Sequence, residues 1–264
     1  MKTDEKKIKK IVKNGYAKVA RQGTSCCPAG SCCSPSSSAR KIAKTVGYSD
    51  DEMSAVPEGA NLGLGCGNPV ALASLKEGDV VLDLGSGAGF DAFLAAKRVG
   101  KTGRVIGVDM TPEMIAKAKE NAKKGAYANV EFRLGEIEKL PIDDDSVDVI
   151  ISNCVINLSP DKESVFKESF RVLRPGGRLM VSDLVLVKEL PDAVKKSVEA
   201  YVGCIAGAVM KDEYVRFIES AGFHDIKIVS QSGYSVDALV SDEGLRDVAR
   251  SVVSIKVHAV KPQR

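Results

Sequence analysis

"VVLDLGSGAGFD", residues 80 to 91, decides the fold. A β-branched apolar run stops at Gly85, and glycines at 85, 87 and 89 lead from this strand into the next helix. At such a turn the missing side chains let a ligand approach both the backbone and the helix N-terminus. Outward from it, "RVIGVDM", "VEFRLGE", "VDVIISN" and "RLMVSDLVLV" are further short apolar runs. Between them lie helical patterns such as PEMIAKAKENAKKG and KESVFKESFRVLR. The alternation predicts parallel βαβ units, an α/β sheet with helices on both faces. The helix after "GVDM" is well marked, with Thr111 as N-cap, Pro112 at its first position and Gly125 at its end. Beyond Pro191 the pattern predicts a helix over 192–209, another from Asp212 to Ala221, and strands "DIKIVS" and "VVSIKVHAV". There is no internal repeat.

The chain has 264 residues, 44% of them apolar and 28% charged, enough for one large core with an extension. Residues 1–58 read as an N-terminal helix and a Cys-rich loop, with short helices at Arg40 to Val46 and Asp50 to Ala55. Residues 59–264 form the main domain, whose part 188–264 carries a substrate-side helix and the last two strands. Residues 1 to 48 hold eleven Lys/Arg against two acids, but Ile8, Ile11, Val12, Tyr16 and Val19 recur at helical spacing, as expected of a helix packed on the body with a solvated basic face. No nucleic-acid partner is expected. Neither a signal-peptide pattern nor an apolar run of membrane-spanning length is found, so the expected location is the cytoplasm, without a membrane partner. Thiols stay reduced there, and the odd count of seven cysteines argues against a closed disulfide framework.

Asp109 follows Gly89 by 20 residues at the end of the next strand, where a carboxylate can accept both hydroxyls of a ribose. Asp83, two residues before the first glycine, would repel a pyrophosphate. It suits a cationic ligand, and S-adenosylmethionine carries an ammonium and a sulfonium. In "GEIEKLP", Glu136 is placed to accept from an adenine amino group while Ile137 packs on the ring. Here the sequence resembles the class I S-adenosylmethionine-dependent methyltransferases, and "FRVLRPGGRLMVSD" is similar to their later strand motif. The resemblance implies a Rossmann-like, seven-stranded, mostly parallel sheet whose last strand is antiparallel. It places cofactor contacts at Asp83, Gly85, Gly87, Asp109, Met110, Glu136, Ile137 and Asn153, with Ser86 and Gly89 in the same turn.

Cys66 lies between Gly65 and Gly67, Cys154 follows Asn153 on the cofactor face, and Cys204 lies in the small-residue helix "GCIAGA". Each alone is an ordinary buried residue. Together over one pocket, three soft thiolates suit a thiophilic centre. "SNCVINLSPDK", "GCGNP" and "GCIAGA" are similar to arsenite methyltransferases, the microbial branch in particular. That resemblance implies that Cys66, Cys154 and Cys204 bind arsenic(III), taken from arsenite or its thiol conjugates, as a tris-thiolate whose lone pair attacks the cofactor methyl. Thiol oxidation between turnovers would then be reversed by thioredoxin or glutathione. In "SCCPAGSCC", Cys26, Cys27, Cys32 and Cys33 are candidates for thiol relay or a resolving disulfide, while four residues between adjacent pairs make a poor zinc clip. Two other readings stay open: "LPIDDDSVDVI" and "RVLRPGG" also resemble methyltransferases of quinone-like substrates, and a thiol protein that binds arsenite without turnover would share the same cysteines.

Overall fold

The computed structural model describes residues 2–22, 35–69, 74–195, 197–233 and 250–263. Helix α1 (Lys2–Gln22) is followed by α2 (Pro35–Thr45) and α3 (Asp50–Ser54). Ser49 caps α3 in a reciprocal box with Glu52. Then come β1 (Val80–Leu84), α4 (Phe90–Val99), β2 (Arg104–Asp109), α5 (Pro112–Lys124), β3 (Val130–Leu134) and β4 (Val147–Asn153). A short 3-10 turn (Ile156–Leu158) leads to α6 (Lys162–Val172) and β5 (Leu173–Leu186). The chain ends with α7 (Asp192–Lys195), α8 (Val198–Val202), α9 (Lys211–Ser220), β6 (His224–Gly233) and β7 (Val252–Val260).

The seven strands form one sheet in the order β3-β2-β1-β4-β5-β7-β6, with β7 antiparallel to both neighbours and the pairs from β3 to β5 parallel. Strand alternation sends Val81, Val105, Val149 and Ile151 to one face, where Phe93 of α4 and Ile115 of α5 cover them. Leu82, Leu84, Ile106 and Ile150 meet Phe166 of α6 and Tyr214 of α9 on the other. Burial on both faces explains why these strands read as continuous apolar runs. Among the described residues, no helix is long and apolar enough to cross a membrane.

The predicted helix over 192–209 is instead two short helices and an irregular turn. Cys204 sits in that turn at φ +65°. That left-handed residue ends the helix, and beyond it the backbone packs directly on the 3-10 turn, where a Cβ on Gly207 would overlap the Asn157 carbonyl.

At the β1–α4 turn Gly85 has φ +64°, and a Cβ there would overlap the Val155 side chain. Gly85→Ala is expected to destabilise the protein by about 2–4 kcal/mol through strain and overpacking. Chemical denaturation checks this, and unchanged stability would contradict it.

Candidate functional site

Strand order reverses between β1 and its neighbours β2 and β4, which opens a crevice at the carboxyl ends of these strands. A cleft of about 1110 Å³, counting its open mouth, occupies this position. Of the residues expected at a cofactor, Asp83, Gly85, Ser86, Gly87, Asp109, Met110, Ile137 and Asn153 line it. The turn is held from within. Ser86 N donates to Val108 O at 3.0 Å, and the Asp109 carboxylate accepts from Gly87 N at 3.0 Å and Thr111 N at 2.8 Å. A Cβ on Gly87 would meet nothing within 4 Å, so its missing side chain leaves room in the cleft.

Two expected contacts fall elsewhere. Gly89 begins α4 at φ +96°, and a Cβ there would press on Phe93 and Phe132 at 2.7 and 2.8 Å; its role is to seat the helix on the sheet. Glu136 does not line the cleft: its half-exposed carboxylate accepts from Lys9 Nζ at 2.7 Å. Glu138 lines the cleft instead, pairing with Lys9 at 3.1 Å. "GEIE" offers two carboxylates flanking Ile137, and only the chain's path past β3 chooses between them.

Sequence reasoning also missed Asp91, Tyr48 and the contribution of α1. Asp91 lines the cleft beside Asp83 and accepts from Tyr48 Oη at 2.6 Å and Asn153 Nδ2 at 3.0 Å. An acid in the first turn of a helix ordinarily signals only a favourable helix end, so nothing in the sequence marked it. Lys9, Val12 and Tyr16 of α1 form the cleft's opposite wall.

Burial, then the charges of Asp91 and Asp109, push the Asp83 carboxyl well above its ordinary range. Burial also raises Asp109, and brings Asp91 to about 6 against hydrogen bonds from Tyr48 and Asn153. Within the protein, Asp83 Oδ2 and Ser86 Oγ are buried without a partner. Three clustered carboxyls and an orphaned acceptor are costly unless a cation meets them. This set of acceptors fits the ammonium, sulfonium and ribose hydroxyls of S-adenosylmethionine.

The three pocket cysteines gather in one apolar cluster with Val12, Leu158 and Leu184. Contrary to the expectation of free thiols, Cys66 and Cys154 are joined in a disulfide, with Cα atoms 5.7 Å apart. Cys66 is brought there by its glycine neighbours. A Cβ on Gly65 would come within 2.5 Å of Asn153 Nδ2, and one on Gly67 would overlap Ser182. Asn153 Oδ1 accepts from Cys66 N at 3.0 Å, so one side chain joins the cofactor cleft to this thiol loop. Cys154 has φ +58°, and with Cys204 that makes two of the three cysteines left-handed, a conformation that recurs at functional sites.

The Cys204 thiol donates to Cys154 O at 3.0 Å, and burial, followed by the Asp183 charge, pushes it up to about 12. Asp183, unmarked inside the apolar strand "VSDLV", lies with a carboxylate oxygen within 4.8 Å of the Cys66 and Cys154 sulfurs. Tyr214 Oη donates to it at 3.2 Å, and burial raises it to about 7. Cys26, Cys27, Cys32 and Cys33 lie outside the described residues.

Residues 75–222 match a family model described as a methyltransferase domain. The arsenite methyltransferase of Halobacterium salinarum is 46% identical over 99% of this chain and 68% of its own length. That of Aquipseudomonas alcaligenes is 38% identical over 89% of this chain and 68% of its own. Among solved structures, the arsenic(III) S-adenosylmethionine methyltransferase of Chlamydomonas reinhardtii superposes with a TM-score of 0.65 at 34% identity, over 84% of this chain and 73% of that one. With that cleft and those cysteines, the chain belongs to the arsenite methyltransferase family.

Proposed function

We propose that this protein methylates trivalent arsenic, with S-adenosylmethionine as donor and Cys66, Cys154 and Cys204 as the arsenic ligands. The observation that carries the reading is the convergence of these cysteines beside a cleft lined by Asp83, Asp91 and Asp109. When bound, the cofactor supplies an electrophilic methyl group. Asp83 would hold its ammonium and Asp109 its ribose hydroxyls, while Asn153 ties the cleft to the Cys66 loop.

Once an external thiol has reduced the Cys66–Cys154 disulfide, arsenite enters by ligand exchange. Each thiol forms an As–S bond as an As–O bond breaks, and its proton leaves with the displaced hydroxide as water. The arsenic lone pair is then the nucleophile, and catalysis is chiefly positioning. No general base is required, in keeping with His224 and His258 lying on β6 and β7 rather than in the cleft wall. Methyl transfer formally oxidises arsenic by two electrons. A thiol pair can return them by forming a disulfide, which an external thiol reductant such as thioredoxin or glutathione reopens.

The test is arsenic speciation by chromatography with elemental mass detection after incubation with arsenite, S-adenosylmethionine and thiols. Methylated arsenic and S-adenosylhomocysteine are expected together. Arsenite binding without S-adenosylhomocysteine would favour a sequestering protein, and turnover only with a quinone-like acceptor would overturn the arsenic assignment.

The carboxyl cluster predicts pH dependence. Because Asp83 and Asp91 titrate above their ordinary range in the free protein, a cationic ligand that prefers them ionised must expel protons as pH falls. Affinity for S-adenosylmethionine is expected to weaken below about pH 6, by up to about tenfold per pH unit for one proton displaced. Calorimetric titration in two buffers of different ionisation enthalpy reads the proton release directly; identical heats at pH 6 would contradict it.

A further inference from the structure

The N-terminal helix does more than cover the body. It runs along the cleft, contacting α5 on the cofactor side and α8 on the thiol side. At the second contact a glycine stands in the helix interior, a placement that costs about 1 kcal/mol relative to alanine. The reason is close approach: a Cβ on Gly15 would come within 3.1 and 3.3 Å of the Val202 methyls. This crossing sets Tyr16, the next residue, against the turn that follows α8. Its hydroxyl lies 3.4 Å from Val202 O and 3.9 Å from Cys204 Sγ, while its ring lines the cleft.

We propose that Tyr16 is a positioning residue for the arsenic site, its hydroxyl holding the Cys204 sulfur and donating to it once that sulfur is an arsenic-bound thiolate. The chemistry of ligand exchange makes the need specific. The Cys204 thiol now donates its proton to Cys154 O. When arsenic binds, that proton leaves as part of water, and the sulfur becomes an acceptor in an apolar cluster of Val12, Leu158 and Leu184. A buried sulfur that has lost its proton can only accept, and an acceptor left unpaired in such a site is costly. The Tyr16 hydroxyl, 3.9 Å from the sulfur, can turn to it from Val202 O. The left-handed backbone of Cys204 points the same way: a strained residue needs surrounding contacts to hold it.

This inference rests on the three-thiol reading above, and the test separates the two. Reduced wild type, Tyr16→Phe and Cys204→Ser are titrated with arsenite, which has three exchangeable hydroxyls, and with phenylarsenous acid, which has two and can be held by Cys66 and Cys154 alone. Equilibrium dialysis with elemental mass detection gives the affinities. Tyr16→Phe keeps the ring that packs in the cleft, and is expected to weaken arsenite binding about tenfold while changing phenylarsenous acid binding less than about twofold. Equal losses for both arsenicals would make Tyr16 a merely structural part of α1. Unchanged arsenite binding in Tyr16→Phe, with Cys204→Ser impaired, would overturn the role of Tyr16 alone. If Cys204→Ser bound arsenite as the wild type does, the three-thiol reading would fall, and the role of Tyr16 with it.

Discussion

Cys154→Ser is expected to abolish arsenite methylation, lowering turnover by at least about a hundredfold, while S-adenosylmethionine affinity stays within about threefold of wild type. The expectation follows from the position of Cys154 at the end of β4, between the cleft and the other two cysteines. Its sulfur bonds to Cys66, and its carbonyl accepts the Cys204 thiol. Serine preserves shape and the backbone bond from residue 154 N to Ser182 O at 2.8 Å, but replaces a soft ligand by a hard oxygen that does not ionise at neutral pH. Two thiols would remain, and a site held by two cannot fix the direction of the arsenic lone pair as three can. Speciation after a fixed incubation measures the loss, and a calorimetric titration measures the retained cofactor affinity. Methylation above a tenth of wild type would remove Cys154 from the arsenic site. Parallel loss of cofactor binding would instead place its effect on the fold.

The parts of this molecule legible in its sequence are those where one local pattern had one physical solution. The β1–α4 turn was legible because three glycines between an apolar run and a helix leave few alternatives, and Asp109 because its spacing fixed it at the end of β2. The α5 boundaries followed from Thr111, Pro112 and Gly125. What the sequence left unreadable depended on how distant elements pack. Glu136 and Glu138 flank Ile137 equally and both pair with Lys9, and only the path of the chain past β3 turns Glu138 into the cleft and leaves Glu136 half exposed. Cys204 looked helical among small residues, yet it takes a left-handed conformation that ends the helix, set by packing of the following turn on the Asn157 carbonyl, distant in sequence. Asp183 and Asp91 gave no local sign, since a single acid in a strand or helix start has no periodicity. The Cys66–Cys154 bond joins residues 88 apart, a separation that carries no pattern, and the argument from a reducing compartment pointed away from it.

That bond leads to the second large effect. Protein prepared without reductant, with the Cys66–Cys154 disulfide intact, is expected to bind arsenite at least about a hundredfold more weakly than the same protein reduced with a dithiol and freed of it. In the oxidised form two of the three sulfurs are bonded to each other, and the third, Cys204, is buried with its thiol pushed up to about 12. Within this site, one thiol gains none of the effective concentration that makes two or three converge on one centre. Reduction also has a structural cost. Opening a crosslink between residues 88 apart removes a constraint on the unfolded chain worth about 2–4 kcal/mol, so the reduced protein should melt several degrees lower. Arsenite then bridges the same residues and restores a crosslink. It should therefore raise the melting temperature of the reduced protein and leave that of the oxidised protein unchanged. The stabilisation is that of arsenite binding to the folded state, and should be lost in Cys66→Ser. Thermal denaturation of the oxidised, reduced and reduced-plus-arsenite forms gives all three values in one experiment. Equal arsenite affinity in the oxidised and reduced forms would show that the disulfide does not gate the site. A reduced protein no less stable than the oxidised one would show that cleft packing, and not the crosslink, holds the Cys66 loop on β4.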